Sequence, residues 1–270
     1  MSISKNIFSS LGLVAVASLF FGCKREVASI PYIQTDAGSN ATIQVINATL
    51  KAARNYVYVD GVPVSGTTFS YQGSFPATAY SFKVTPGSHN MVIRDTMPTS
   101  AQVPLTFTQV LDAGKYYTIF MYDTITSPKQ VAVVNDISVP SDTTARLRFA
   151  NFVYSPAGVP NVDVYSYKRI PGTPVFQTTA VLNNASIPAP VFTGSTPVFS
   201  NVASNSVSGF VPYASLQADT LYVFAAGTTT PLLAKGTITS LTPTRSYSAT
   251  FNGSYRGNLA ARVITNFATY

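Results

Sequence analysis

One cysteine, Cys23, stands in 270 residues, so no disulfide can close within the chain. Tryptophan is absent, histidine occurs once at His89, and glutamate occurs once at Glu26; the remaining acids are Asp residues scattered singly. Paired carboxylates for glycoside hydrolysis, a histidine-oriented nucleophile and a zinc site of nitrogen and sulfur ligands therefore have almost nothing to be built from. There is no Gly-rich phosphate loop either, so neither catalysis nor a cofactor is expected. The net charge of +7 comes from 17 basic residues that form no run, which describes a solvated, mildly basic surface and gives no reason to expect a nucleic-acid partner. Runs of Glu, Lys and Leu are missing, whereas Thr, Ser and Val are plentiful beside 18 Pro and 16 Gly. Helices have little to form from, and with 46% hydrophobic against 10% charged residues the expected product is a folded all-β chain.

What is present is a repeat. Ala41-Thr-Ile-Gln-Val-Ile-Asn47, a turn, then Asn55-Tyr-Val-Tyr58 returns about a hundred residues later as Ala145-Arg-Leu-Arg-Phe-Ala-Asn151, a turn, then Val162-Asp-Val-Tyr165. An echo of this kind signals one structural module used twice. In the first copy Ile43 and Val45 alternate with Thr42 and Gln44, the period of a strand with one buried face. Asp60-Gly61 predicts a tight hairpin, because both positions tolerate positive φ. Tyr80, Phe82 and Val84 alternate up to Pro86-Gly87, and Met91 to Arg94 are read as the return strand. Strands over Val103 to Val110, Tyr116 to Tyr122 and Val131 to Val134 complete the module. In the second copy Leu147 and Phe149 alternate with Arg146 and Arg148, which places both arginines on the outer face. Thr220 to Ala226 is matched to Tyr116 to Tyr122, with Tyr222 in the place of Tyr117 and Ala218 in that of Ala113. Pro171 to Ser200 is the longest irregular stretch, and Leu259 to Phe267 is expected to pair into a sheet. Two tandem immunoglobulin-like antiparallel β-sandwich domains follow, over 41–136 and 145–270 with a linker at 137–144; barrels are the alternative.

The N-terminus reads as an address. Lys5, an apolar run from Leu11 to Phe21 and Phe20-Phe-Gly-Cys23 resemble a bacterial lipoprotein signal peptide over 1–22. Cleavage between Gly22 and Cys23 would leave Cys23 as the first residue, carrying a diacylglyceryl group on its thiol. Acyl chains contribute ~0.8 kcal/mol per buried methylene, enough to hold the protein on a membrane without a spanning helix. By resemblance to enteric lipoproteins, Lys24 in place of Asp gives no inner-membrane retention signal, so the expected site is the bacterial outer membrane, on either face. Residues 23–40 then form a lipidated flexible stalk.

The order of Ala-Arg-Leu-Arg-Phe-Ala-Asn151, Asn161-Val-Asp-Val-Tyr165, the Asp60-Gly61 hairpin, Ala113-Gly-Lys-Tyr-Tyr117, Asn135-Asp136 and the closing segment from Tyr247 to Asn266 resembles domain-of-unknown-function family 4397. The resemblance covers roughly Asn40 to Phe267. It implies exported bacterial lipoproteins with tandem β-sandwiches and supplies no activity. The chain departs from the family pattern at Ser155-Pro-Ala-Gly158 and at Lys51 to Arg54.

Candidate chemistry is sparse. Asp60, Asp95, Asp112 and Asp123 fall where turns are expected, and His89 reads as a turn-edge or strand-start residue. A calcium site from Asp136, Asp142 and linker carbonyls is an open alternative to no metal at all. Tyr56, Tyr58, Tyr116, Tyr117, Tyr122 and Tyr165 lie in strands, where core packing is the plainer role and sugar stacking the sharper one. The expected function is thus a membrane-tethered, non-catalytic lipoprotein, structural or macromolecule-binding, with an envelope protein or glycan as partner. The alternatives are a carbohydrate-binding lipoprotein of a nutrient uptake system and a fimbrial or adhesin subunit exchanging a strand.

Overall fold

The computed structural model describes residues 39–77, 80–136, 139–166, 196–216, 218–256 and 259–269. The signal segment, Gly22, Cys23, the stalk up to residue 38 and residues 171–195 of the long irregular stretch lie outside the described residues. The first repeat supplies β1 (Ala41–Asn47), β2 (Asn55–Val59), β3 (Val62–Pro63), β4 (Ser74–Phe75), β5 (Phe82–Val84), β6 (Gly87–Asp95), β7 (Leu105–Leu111), β8 (Tyr116–Thr124) and β9 (Ser127–Asn135). The second supplies β10 (Ala145–Tyr154), β11 (Val162–Ser166), β12 (Phe199–Val202), β13 (Ser206–Val207), β14 (Val211–Tyr213), β15 (Asp219–Ala225), β16 (Ala234–Ile238), β17 (Ser246–Ser254) and β18 (Arg262–Ala268).

The two sets match strand for strand. One sheet of the first sandwich runs β4-β1-β8-β9 with β5 also on β1, and the other runs β3-β2-β6-β7. The second sandwich repeats this as β13-β10-β17-β18 with β14 on β10, and β12-β11-β15-β16. Among the described residues each sandwich departs from all-antiparallel pairing once, since β1 runs parallel to β8 and β10 parallel to β17. The chain reaches β8 by way of the opposite sheet, so no hairpin forces these neighbours to run oppositely.

Asp60 and Gly61, at φ 51° and 81°, make the β2–β3 hairpin that their sequence calls for. The expected hairpin from Phe82–Val84 to Met91–Arg94 is not formed. β5 pairs with β1 and β6 with β2, so the Pro86-Gly87 turn carries the chain from one sheet to the other. The C-terminal strand does pair into a sheet, β18 against β17.

The proposed counterpart of Tyr117 is also corrected: it is Tyr247, not Tyr222. Tyr117 lies opposite Ile43 and Tyr247 opposite Leu147, the same register in each copy. Each hydroxyl accepts a hydrogen bond from the backbone N–H five residues upstream, that of Asp112 or Thr242, at 2.9 Å. This is the tyrosine corner of immunoglobulin-like sandwiches, occurring twice. Tyr222 instead faces Tyr165 across β11 and β15, in the strand equivalent to β6.

Separate cores fill the two sandwiches. Ile43, Val45, Val57, Met91, Ile93, Ile119 and Met121 are fully buried in the first, and Leu147, Phe149, Val162, Val164, Leu221, Val223 and Phe251 are at 0% exposure in the second. Each such side chain contributes about 1.5–3 kcal/mol relative to an exposed one. Facing pairs exchange volume between copies. Val45 opposes Ile119 in the first, and Phe149 opposes Ala249 in the second. Compensating swaps of this kind leave one architecture intact in two diverged sequences.

Candidate functional site

The outward face of β1 is not solvent-facing. Thr42, Gln44 and Ile46 are 6%, 2% and 0% exposed, and every residue of β1 is buried. The same holds for β17 from Ser246 to Gly253. These faces bury each other, so the sheet of β1, β8 and β9 packs against the sheet of β10, β17 and β18. A third apolar cluster, Ile46, Ala48, Phe120, Ala150, Phe152 and Phe267, fills this seam. Phe152 lies 5.2 Å from Phe120 and stacks on Tyr122 at 4.9 Å, ring centre to ring centre. Polar groups close the remainder: Gln44 Nε2 donates to the Ala268 carbonyl at 3.0 Å, and the Tyr71 hydroxyl donates to Asn252 Oδ1 at 2.9 Å. The Thr, Gln and Ser residues that look like a wet face in sequence are therefore the polar part of a buried interface.

Arg148 is buried in this seam. It is on the outer face of β10, as its alternation implies, yet only 2% exposed. Its Nε donates to Ser248 Oγ at 2.8 Å and its Nη1 to Asn135 Oδ1 at 2.7 Å, while Nη2 has no partner. The guanidinium carbon is 5.3 Å from the ring centre of Phe120 and 4.7 Å from that of Phe210. Among the described residues no carboxylate comes within ion-pair distance of it. Burial lowers its pKa to about 9, because a charge removed from water is destabilised unless a counter-charge replaces the lost solvation.

Two grooves open along the seam. One, of about 530 Å³, is walled by Arg146, Arg148, Val133, Asp136, Val207 and Phe210. The other, of about 420 Å³, lies between the β8–β9 turn and the β10–β11 turn and is lined by Asp123, Thr124, Lys129, Tyr154, Ser155 and Asn205. Lys129 Nζ sits 2.7 Å from Asp123 Oδ2, and that bond raises the lysine pKa. Burial pushes the Tyr122 phenol up.

Several further titratable groups are engaged structurally. His89 is third in β6; its Nδ1 is 2.7 Å from Asp60 Oδ2 and its Nε2 2.8 Å from the Thr85 carbonyl. Both partners only accept, so this geometry is satisfied when both ring nitrogens donate. The bond to His89 in turn lowers the Asp60 pKa. Asp95 takes Arg54, Asp112 takes Tyr117, and Asp163 takes the N–H groups of Asn201 and Gly227. Asp219 accepts from the hydroxyls of Tyr213 and Ser166, and burial, then its charge, pushes the Tyr213 phenol well up. Asp142 accepts from the Thr144 N–H at 2.9 Å, and among the described residues no three His, Cys, Asp or Glu side chains converge on a metal position.

The tyrosines singled out from sequence divide by role. Tyr117 is in the core, Tyr122 in the seam, and Tyr165 is buried against Phe224 at 5.8 Å in an edge-on contact. Tyr56 and Tyr58 are half-buried on the outer face of β2, 6.5 Å apart, with Arg94 4.6 Å over the Tyr58 ring. Phe210 and the deep position of Arg148 were not legible in advance. The equivalents of Arg146 and Arg148 in the first copy are Thr42 and Gln44, so the repeat itself carries no hint of a charge there.

A family model described as "Domain of unknown function (DUF4397)" matches residues 41–165. The DUF4397 match takes in the whole first sandwich and continues through β10 and β11, ending at Tyr165, the counterpart of Tyr58. It thus includes one side of the seam and Arg148. No curated protein matches the chain. A crystal structure of CBMbc (family CBM26) from Eubacterium rectale Amy13K in complex with maltoheptaose is similar at 12% identity, over 86% of this chain and 97% of that one, with a TM-score of 0.28. That likeness is too slight to inform the fold or a ligand of this chain.

Proposed function

We propose that this protein is a non-catalytic binding protein of a bacterial cell envelope, exported under the 1–22 signal peptide and held at the outer membrane by acyl chains on Cys23. Residues 23–40 serve as its stalk, and the sandwiches over 41–136 and 145–270 act as one rigid body. The observation that carries this reading is the buried seam. Two sandwiches that merely followed one another on a linker would keep their outer faces wet, whereas these exclude water from each other and hold a fixed spacing. The engagement of Asp60, Asp95, Asp112, Asp163 and Asp219 in turns, caps and corners supports a binding role over turnover.

Cys23→Ala is expected to move the protein from the membrane pellet to the soluble fraction and to abolish incorporation of labelled palmitate. Membrane association unchanged by the substitution would refute the tether. Affinity capture from native envelopes, with the Cys23→Ala chain in parallel, identifies what the rigid body holds.

A second reading, carbohydrate capture in a nutrient uptake system, is favoured by the half-buried Tyr56 and Tyr58 beside Arg94, since flat aromatic faces on a sheet stack against sugar rings. It predicts that the protein is retained by at least one immobilised glycan and that Tyr56→Ala with Tyr58→Ala loses this retention. A glycan array without a single retained member would count against it.

A further inference from the structure

The guanidinium of Arg148 is a buried charge that the seam leaves without a carboxylate partner among the described residues. A buried cation in proteins is ordinarily matched by a carboxylate or bound anion. Here the partners are two neutral oxygens, of Asn135 and Ser248, and two aromatic rings. Its Nη2 is without a partner and less than one-tenth of the side chain meets solvent. The side chain nevertheless forms part of the wall of the 530 Å³ groove, together with the half-buried Arg146 two positions earlier on the same face of β10. Two positive side chains therefore converge on one concavity, with Phe210 and Val207 supplying apolar wall and Ser208 a further polar group. Among the described residues the single opposing charge along this wall is Asp136, which is exposed.

We propose that this groove is a binding site for an oxyanion, a carboxylate or phosphate group borne by the protein's ligand, with Arg148 as the deep contact and Arg146 as the outer one. Guanidinium donors suit such groups because their N–H directions match the lone pairs of planar and tetrahedral oxyanions. The partial exclusion of water would make each such contact stronger than on an open surface. An exposed carboxylate at the rim has a definite role in this arrangement: Asp136 opposes the incoming charge and limits affinity. The proposal rests on the reading of the protein as a binder and is independent of the tether.

Isothermal titration of the purified mature chain tests it with three probes: inorganic phosphate, sulfate and glucuronate, each against chloride at equal ionic strength. Saturable binding of at least one of them is expected. Arg146→Gln should weaken it by about tenfold or more, and Asp136→Asn should tighten it. A preference for glucuronate identifies an acidic sugar as the source of the oxyanion, and a preference for phosphate or sulfate identifies a phosphorylated or sulfated one. Arg148→Gln is a further variant, but because it also alters the seam, the rim substitutions decide the matter. The side-chain ¹⁵Nε resonance of Arg148 should move on titration, a response that a purely structural arginine would not give. No saturable heat above the chloride control with any probe overturns the proposal, as does binding that ignores both rim substitutions. Either result leaves the membrane-fractionation outcome for Cys23→Ala untouched, so the site and the tether fail separately.

Discussion

Phe152→Ala is expected to remove about 3–5 kcal/mol of stability and to divide one calorimetric unfolding transition into two. The ring is 1% exposed and meets Phe120 and Tyr122 from the other sandwich at 5.2 and 4.9 Å. Such aromatic pairs contribute roughly 0.5–1.5 kcal/mol each beyond the area they bury. Its counterpart in the first repeat is Ala48, which is buried in the same seam. The seam therefore takes a large ring from one copy and a methyl group from the other, and truncation would leave a hole against Phe120 and Tyr122. β8 cannot move in to fill it, since it is held by β1 on one edge and β9 on the other. The loss falls on the contact between the sandwiches and spares both cores, which is why separate transitions should emerge. Scanning calorimetry of the mature chain reads both effects. A loss below about 1 kcal/mol with a single unchanged transition would show that this ring does not join the two halves.

Gly253→Ala should cost roughly 2–6 kcal/mol, from backbone strain and from overpacking together. Gly253 has φ of 114°, a conformation that side chains rarely adopt, and it pairs with Arg262 across β17 and β18. A Cβ added there would stand 2.1 Å from the carbonyl oxygen of Ala261 and 3.1 Å from the Arg262 Cα. Both obstacles are backbone, so relief requires the start of β18 to move away from β17, and β18 carries Phe267 into the seam. The damage should appear first in the transition of the second sandwich. Gly66 makes the matching control, because a Cβ there meets nothing within 4 Å. Gly66→Ala is expected to stay within about 0.5 kcal/mol of wild type. Equal denaturant midpoints for the two variants would contradict the close approach at Gly253.

The repeat was legible because its signal is local and structural in both copies. Asn47, the last residue of β1, and Asn151, within β10, are each fully buried at matching positions of the first strand. Their backbone carbonyls accept from Gln72 and Asn205, residues that both take a left-handed conformation. The Asp60-Gly61 hairpin was legible for the same reason, since its φ requirement belongs to two adjacent residues. The Tyr117 equivalence failed because the second copy carries the long stretch up to Ser200 and its strands are displaced in number. A usable signal did exist. Leu111 and Lys115 precede Tyr117 at the same distances as Leu241 and Arg245 precede Tyr247, and Gly114 and Thr244 share a positive φ. That pattern is visible once the corner hydrogen bond says which tyrosine to align.

Strand content, the doubled module and the hairpin turn follow from composition, alternation and the φ preferences of particular residues, all of which act over a few positions along the chain. The fate of the outer faces does not. Thr42, Gln44, Arg148 and Ser248 carry the polarity of exposed residues, and whether that polarity meets water or another sheet is decided by how two completed sandwiches dock. Docking brings Asn135 and Ser248, on different strands and more than a hundred residues apart, onto one guanidinium. Burial is a property of the assembled surfaces, so the seam, the stranded charge of Arg148 and the groove beside it came into being only with the tertiary structure.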